Sequence, residues 1–154
     1  MYEFPHHYTV TAAGAVDDDV ELTAERLPSL RSASPAEFGG PGDRWSPETF
    51  LVGAVADCFV LTFRAVALAS KLSWTSLQCE VNGTLDRIDR VTQFTHFELR
   101  ARLTVPARTD PDQARRVLDK AERSCLITNS LKAKVQLATE VNLATEPVGA
   151  LAGA

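Results

Sequence analysis

The spacing of apolar and polar residues divides the chain into predicted strands and helices. Strand-like alternation is present at 8–13, 20–27, 74–88, 94–105 and 135–143, and the first two stretches form a hairpin around the acidic turn 14–19. Helices are predicted from 47 to about 70 and from 111 to the region of Cys125, with a short helical turn around 130–134. This order, β-β-α-β-β-α-β with hairpins and no βαβ repeat, predicts an α+β fold with antiparallel sheets.

Chain length and breaker residues indicate one domain with one long loop. The 154 residues have the size of a single compact domain, with a core at about 8–143 and a small-residue tail at 144–154. Prolines, glycines and serines crowd the stretch 28–42, which predicts an irregular loop. A loop of this length in a small domain is usually functional or an interaction surface.

The first long helix is apolar on almost every side. Ser46 is a good N-cap and Pro47 suits the first helical position. Between 50 and 69 the polar residues are Asp57, Thr62 and Arg64, apart from a cysteine, and the two charges near the middle argue against a membrane span. Such a helix must be buried by other protein surface on nearly every side, so we expect it at the centre of a homodimer. A monomer that covers it fully is the alternative.

Composition and charge narrow the class of protein. The 16 basic and 20 acidic residues give a net charge of -4, and no block of Lys or Arg is present, which argues against a nucleic-acid partner. The N-terminus has neither a basic nor an apolar signal region, so we expect a cytoplasmic location and no membrane association. In that reducing compartment any bond among the three cysteines would be transient.

The three cysteines lie in different settings. Cys58 is in the middle of the apolar helix, and Cys125 continues the apolar stripe of the second helix and ends it. Each is either a reactive thiol or a small packing residue. Cys79 alternates with Leu77 and Val81 on an inward strand face, and we interpret it as structural.

Other polar residues add one candidate and exclude several chemistries. Glu48 is either a carboxylate at the helix N-terminus or an acid that orients an arginine, with Arg26, Arg31 and Arg44 in reach of that role. The histidines lack partners at ligand spacing, so no metal site is predicted. Dinucleotide, phosphate-loop and α/β-hydrolase motifs are absent from the sequence.

Three segments together resemble the family of osmotically inducible protein C (OsmC) and organic hydroperoxide resistance (Ohr) proteins. They are the loop at 38–42, the segment Trp45-Ser46-Pro47-Glu48 that opens a helix with Cys58, and the segment from Cys125 to Leu131. The resemblance covers about 8–143. It implies an intertwined homodimer in which antiparallel sheets wrap around long central helices, with active sites at the subunit interface.

The resemblance also implies a chemistry. Cys58 matches the peroxidatic cysteine, which reduces an organic hydroperoxide to an alcohol and becomes a sulfenate; Cys125 matches the resolving cysteine that forms a disulfide with it, and an external dithiol reduces that bond. Glu48 matches the glutamate that pairs with an arginine, and no metal, haem or flavin takes part. The positions where the family branches carry this arginine are acidic at 14–19 and apolar at Phe38 here.

The predicted function is therefore a thiol-dependent peroxidase acting on organic hydroperoxides through a Cys58–Cys125 disulfide. Two alternatives remain at this point. One is a redox-sensing or small-ligand-binding protein on the same scaffold without turnover. In the other, both cysteines pack and have no chemical role.

Overall fold

The structure is a computed structural model that describes residues 3–145. The division into two compact units falls between residues 51 and 52, inside a long helix. The predicted tail lies outside the described residues from 146 onward, and the single domain stays a prediction. The strands are β1 (Thr11–Ala13), β2 (Val20–Thr23), β3 (Leu30–Ser32), β4 (Ser76–Ile88), β5 (Val91–Val105) and β6 (Lys134–Leu143), and the α-helices are α1 (Pro47–Ala69), α2 (Pro111–Ser124) and α3 (Leu126–Asn129).

The first unit contains a small antiparallel sheet with the order β1-β2-β3. The predicted hairpin is confirmed, with shorter strands than expected, and Ala12 pairs with Leu22. The prediction of an irregular loop at 28–42 is wrong in part, because β3 and a 3₁₀ turn over Ala36–Phe38 lie within it. β3 forms because β2 supplies its hydrogen-bond partners, which the local sequence does not reveal.

Glycines shape the segment after the 3₁₀ turn. Gly39 ends the turn with φ of 80°, in the left-handed region that favours glycine. Gly40 has no room for a side chain, because a Cβ atom there would overlap the backbone of Ser34. The turn therefore depends on glycine at both positions.

Local signals define both ends of α1. The Ser46 hydroxyl accepts a hydrogen bond from the Thr49 backbone N–H at 3.2 Å, and the Thr49 hydroxyl oxygen accepts from the Ser46 N–H at 2.8 Å. This reciprocal pair satisfies free donors at the helix start. Lys71 has φ of 52° just past the helix end. The predicted bounds of this helix are confirmed.

Only part of the α1 surface is covered in the single chain. Leu61 is 51% exposed and Leu68 is 82% exposed. Among the described helices, α1 alone has the length and apolar composition of a membrane span, a property shared by core helices of soluble proteins. The residues that reach the core are Val55, Phe59, Phe63, Val66 and Ala67.

The second unit is built on the sheet β4-β5-β6. Along β5, Phe97, Leu99 and Ala101 are buried and alternate with polar residues that face outward. β4 pairs with β5 antiparallel, as predicted, through a tight turn at Asp89 and Arg90. These observations confirm an α+β fold with two sheets and three helices.

The pairing of β6 corrects one part of the prediction. β6 runs parallel to β5, with Phe97 opposite Val135, so the expectation of antiparallel pairing is wrong for this strand. The connection between them contains α2 and α3, which is long enough to carry the chain back to the other end of the sheet.

The α2–α3 region places Cys125 in the core. α2 begins as predicted, with the Asp110 carboxylate accepting from the Asp112 N–H at 2.9 Å. Cys125 is fully buried and caps both the end of α2 and the start of α3. The short helical turn expected around 130–134 is wrong in position, because the helix resumes directly after Cys125.

Candidate active site

The structure brings two of the predicted site residues together. Cys58 is half-buried in the middle of α1, and Cys125 is fully buried at the α2–α3 junction. Each thiol acts on the pKa of the other, so the two side chains are neighbours in the fold. Residues far apart in sequence therefore meet within the second unit.

The surroundings of Cys58 favour its thiolate. Burial is the largest influence and raises the pKa of this thiol, since it penalises the charged form. Hydrogen bonds from the backbone N–H of Ile127 and the thiol of Cys125 lower the pKa, as do those from the Thr62 hydroxyl and the Leu126 N–H. The balance leaves the pKa of Cys58 below its usual range.

The pKa of Cys125 is shifted in the opposite direction. Burial raises the pKa of its thiol, and hydrogen bonds from Thr128 oppose that effect. The hydrogen bond to Cys58 and the negative charge there raise the pKa of Cys125 again, so the net direction is upward. Of this pair, Cys58 ionises first and Cys125 remains a thiol that can donate to it.

Cys79 differs from both. It lies on β4 opposite Ala101, with its side chain half-buried. Burial raises its pKa to about 11, with a smaller contribution from the charge of Cys125. A thiol with that pKa is almost fully protonated at neutral pH, which agrees with the structural interpretation of Cys79.

Glu48 lies in the first turn of α1, ten residues before Cys58. Ten residues of straight α-helix rise about 15 Å, so α1 by itself does not bring this carboxylate to the thiol. One oxygen of Glu48, Oε2, is buried and accepts no hydrogen bond from the described residues. A buried acceptor without a donor is a rare and costly arrangement.

The three candidate arginines have other positions in the first unit. Arg44 donates from Nε to Asp19 Oδ2 at 3.0 Å and also pairs with Asp43. Arg26 pairs with its neighbour in sequence and is almost fully exposed, and Arg31 lies on β3. Within residues 3–145, none of them donates to Glu48 Oε2.

Sequence reasoning missed part of the thiol environment. The backbone N–H groups of Leu126 and Ile127 cannot be recognised as donors from the residue types. Thr62 did leave a signal, because it is a hydroxyl one helical turn after Cys58 in an otherwise apolar stretch. In the described part of the chain, no group of three or more His, Cys, Asp or Glu residues is arranged to hold a metal ion.

The fold is α+β with two neighbouring thiols in its second unit, and comparison with known proteins gives the family. The model of the OsmC-like protein family matches residues 40–140. The chain is 32% identical over 144 residues to the uncharacterized protein YmaD of Bacillus subtilis, covering 90% of this chain and 95% of that protein. The protein belongs to the OsmC/Ohr family.

Solved structures show the same fold. An OsmC-like protein of unknown function from Vibrio cholerae superposes with a TM-score of 0.79 at 17% identity, covering 89% of this chain and 99% of that one. An organic hydroperoxide resistance protein from Legionella pneumophila superposes with a TM-score of 0.72 at 24% identity, covering 92% of this chain and 100% of that one. At these identities the likeness shows the fold alone.

Proposed function

We propose that this protein is a thiol-dependent peroxidase that reduces organic hydroperoxides to alcohols. The observation that carries the proposal is that Cys58 and Cys125 are neighbours whose pKa values are shifted in opposite directions. A peroxidase of this kind needs one thiol that ionises readily and a second that is held protonated beside it. Membership of the OsmC/Ohr family, which includes proteins described as organic hydroperoxide resistance proteins, supports the same function.

The proposed cycle balances with these two thiols and an external reductant. The Cys58 thiolate attacks the peroxide O–O bond, takes one oxygen as a sulfenic acid and releases an alkoxide that leaves as the alcohol after protonation. The Cys125 sulfur then attacks the sulfenic sulfur, water leaves, and a Cys58–Cys125 disulfide forms. An external dithiol reduces the disulfide and becomes a disulfide itself.

Apolar side chains beside the thiols support an organic substrate. Leu126 follows Cys125 directly and is 66% exposed. Leu61 lies three residues after Cys58, on the same side of α1, and is also exposed. Each methylene of a substrate tail that such surfaces bury contributes about 0.8 kcal/mol to binding.

The proposal extends to a homodimer. Only 33% of the most apolar window of α1 is buried in one chain, which leaves a large apolar surface uncovered. A second copy would cover it. Light scattering at micromolar concentration should return about twice the 16.7 kDa mass of one chain. A mass of one chain would refute the dimer.

A redox sensor without turnover is the second candidate. It is favoured by one observation: no arginine among the described residues donates a hydrogen bond to Glu48 Oε2. A thiolate stabilised only by neutral donors is still a nucleophile, but it lacks a cation to balance its charge during attack.

A steady-state assay distinguishes these functions. Cumene or tert-butyl hydroperoxide with dithiothreitol should be turned over, with a kcat/KM about tenfold or more above that for hydrogen peroxide, because of the apolar tail. Disulfide formation without turnover would establish the sensor instead. Absence of thiol oxidation at millimolar peroxide would leave both cysteines as packing residues.

A further inference from the structure

A hydroxyl group lies beside the Cys58 sulfur on the same helix. Thr62 Oγ1 is 3.8 Å from Cys58 Sγ, within hydrogen-bond range for sulfur. Helical Cα–Cβ bonds tilt toward the N-terminus, so the side chain at 62 points back toward the turn that carries Cys58. Neither the family match nor the relatives assign a role to this residue.

The hydroxyl is unusual at this place in the helix. Between Phe50 and Ala69 the two charged residues, Asp57 and Arg64, are exposed, whereas Thr62 is half-buried. Threonine is a poor helix former, and a hydroxyl that is partly removed from water favours a hydrogen-bond partner. Valine has the same shape without that requirement and occurs at four other positions in this helix. A structural role alone would therefore be met equally well by valine.

We propose that Thr62 is a positioning residue, whose hydroxyl donates to the Cys58 thiolate and holds its sulfur toward Cys125 and the start of α3. A thiol can donate to the threonine oxygen, but a thiolate only accepts, so ionisation of Cys58 leaves the hydroxyl as the donor. Hydrogen bonds to a charged acceptor are stronger than neutral ones, so the contact favours the ionised form. The direction of the pKa shift at Cys58 agrees with this role.

The donors come from two sides of the sulfur. Thr62 approaches along α1, while the Leu126 and Ile127 amides and the Cys125 thiol approach from the α2–α3 junction. Cys125 is the titratable group that faces Cys58 from that junction, and the exposed Asp57 and Arg64 are the charged neighbours along α1. With these donors on fixed elements, the sulfur has little freedom to turn away. The catalytic consequence rests on the proposed function of Cys58 as the attacking thiol.

Alkylation of Cys58 as a function of pH tests the role without any peroxide. Iodoacetamide labelling is followed by mass spectrometry of the Cys58 peptide in the full chain, so that Cys79 and Cys125 are read separately. Thr62→Val should move the pH midpoint of Cys58 labelling upward and slow labelling at pH 7 by about three- to tenfold, the loss of one hydrogen bond. Thr62→Ser keeps the hydroxyl and should stay within about twofold of the wild type.

Two results would overturn the proposal: an unchanged pH midpoint in Thr62→Val, or an equal upward shift in Thr62→Ser. Thr62→Ala removes the hydroxyl by a second route and should match Thr62→Val, which guards against an effect of one poorly folded variant. A protein with no peroxide turnover but a shifted midpoint in Thr62→Val would refute the proposed function and leave the role of Thr62 standing.

Discussion

Cys58→Ser should lose organic hydroperoxide turnover by about a thousandfold or more, the scale on which removal of a nucleophile acts. Serine preserves the size of the side chain, but its hydroxyl does not ionise near neutral pH and does not attack a peroxide bond. Steady-state assays with cumene hydroperoxide and dithiothreitol measure the loss. Retention of a tenth or more of the wild-type kcat would contradict the role of Cys58.

The other two cysteines give matched controls for this result. Without an external thiol, Cys125→Ser should consume one equivalent of peroxide and stop, with a sulfenate at Cys58 that a dimedone-type reagent traps, because attack precedes resolution. Cys79→Ala should retain turnover within about threefold, since the Cys79 thiol is protonated at neutral pH. Loss of activity in Cys79→Ala with an intact fold would show that the structural interpretation of this residue is wrong.

Phe63→Ala should lower the free energy of unfolding by about 3–5 kcal/mol, the second large effect we expect. Phe63 is fully buried on α1 and its ring meets Trp74 edge-on, with centroids 5.3 Å apart. Truncation removes that contact and leaves a cavity in the core.

Urea denaturation at one fixed protein concentration measures the change, because the stability of the proposed dimer would depend on concentration. Phe63→Leu removes less volume and should cost clearly less than Phe63→Ala. Lys120→Ala, at an exposed position on α2, should stay within about 0.5 kcal/mol of the wild type. Equal stability of Phe63→Ala and the wild type would contradict the packing described for α1.

Elements with complete local signals could be predicted from the sequence. The cap at Ser46, the proline after it and the apolar run defined both ends of α1, and Asp110 defined the start of α2. The strands β4 and β5 followed from alternation, because one face of their sheet is buried and the other is polar.

Features that depend on distant partners could not be predicted in this way. β3 is three residues long and forms because β2 lies beside it. The alternation of β6 is the same for a parallel and an antiparallel strand, so its direction depends on the path through α2 and α3. α3 begins directly after Cys125, where the sequence has no strong capping residue.

The same division applies to the candidate site. Cys58 and Cys125 stood out by their sequence segments and by the family resemblance, and their being neighbours is a property of the fold. The environment that favours the Cys58 thiolate comes largely from backbone N–H groups, which every residue but proline carries and which therefore give no sequence signal. The arginine expected beside Glu48 could not be chosen from the sequence.

The most direct test of the central claim is to identify the disulfide formed when the reduced protein receives one equivalent of cumene hydroperoxide. After alkylation of free thiols and proteolysis without reductant, mass spectrometry should find the Cys58 and Cys125 peptides joined, with Cys79 alkylated. A bond that involves Cys79, or Cys58 and Cys125 both recovered as free thiols after the peroxide is consumed, would contradict the claim that these two residues form the redox pair.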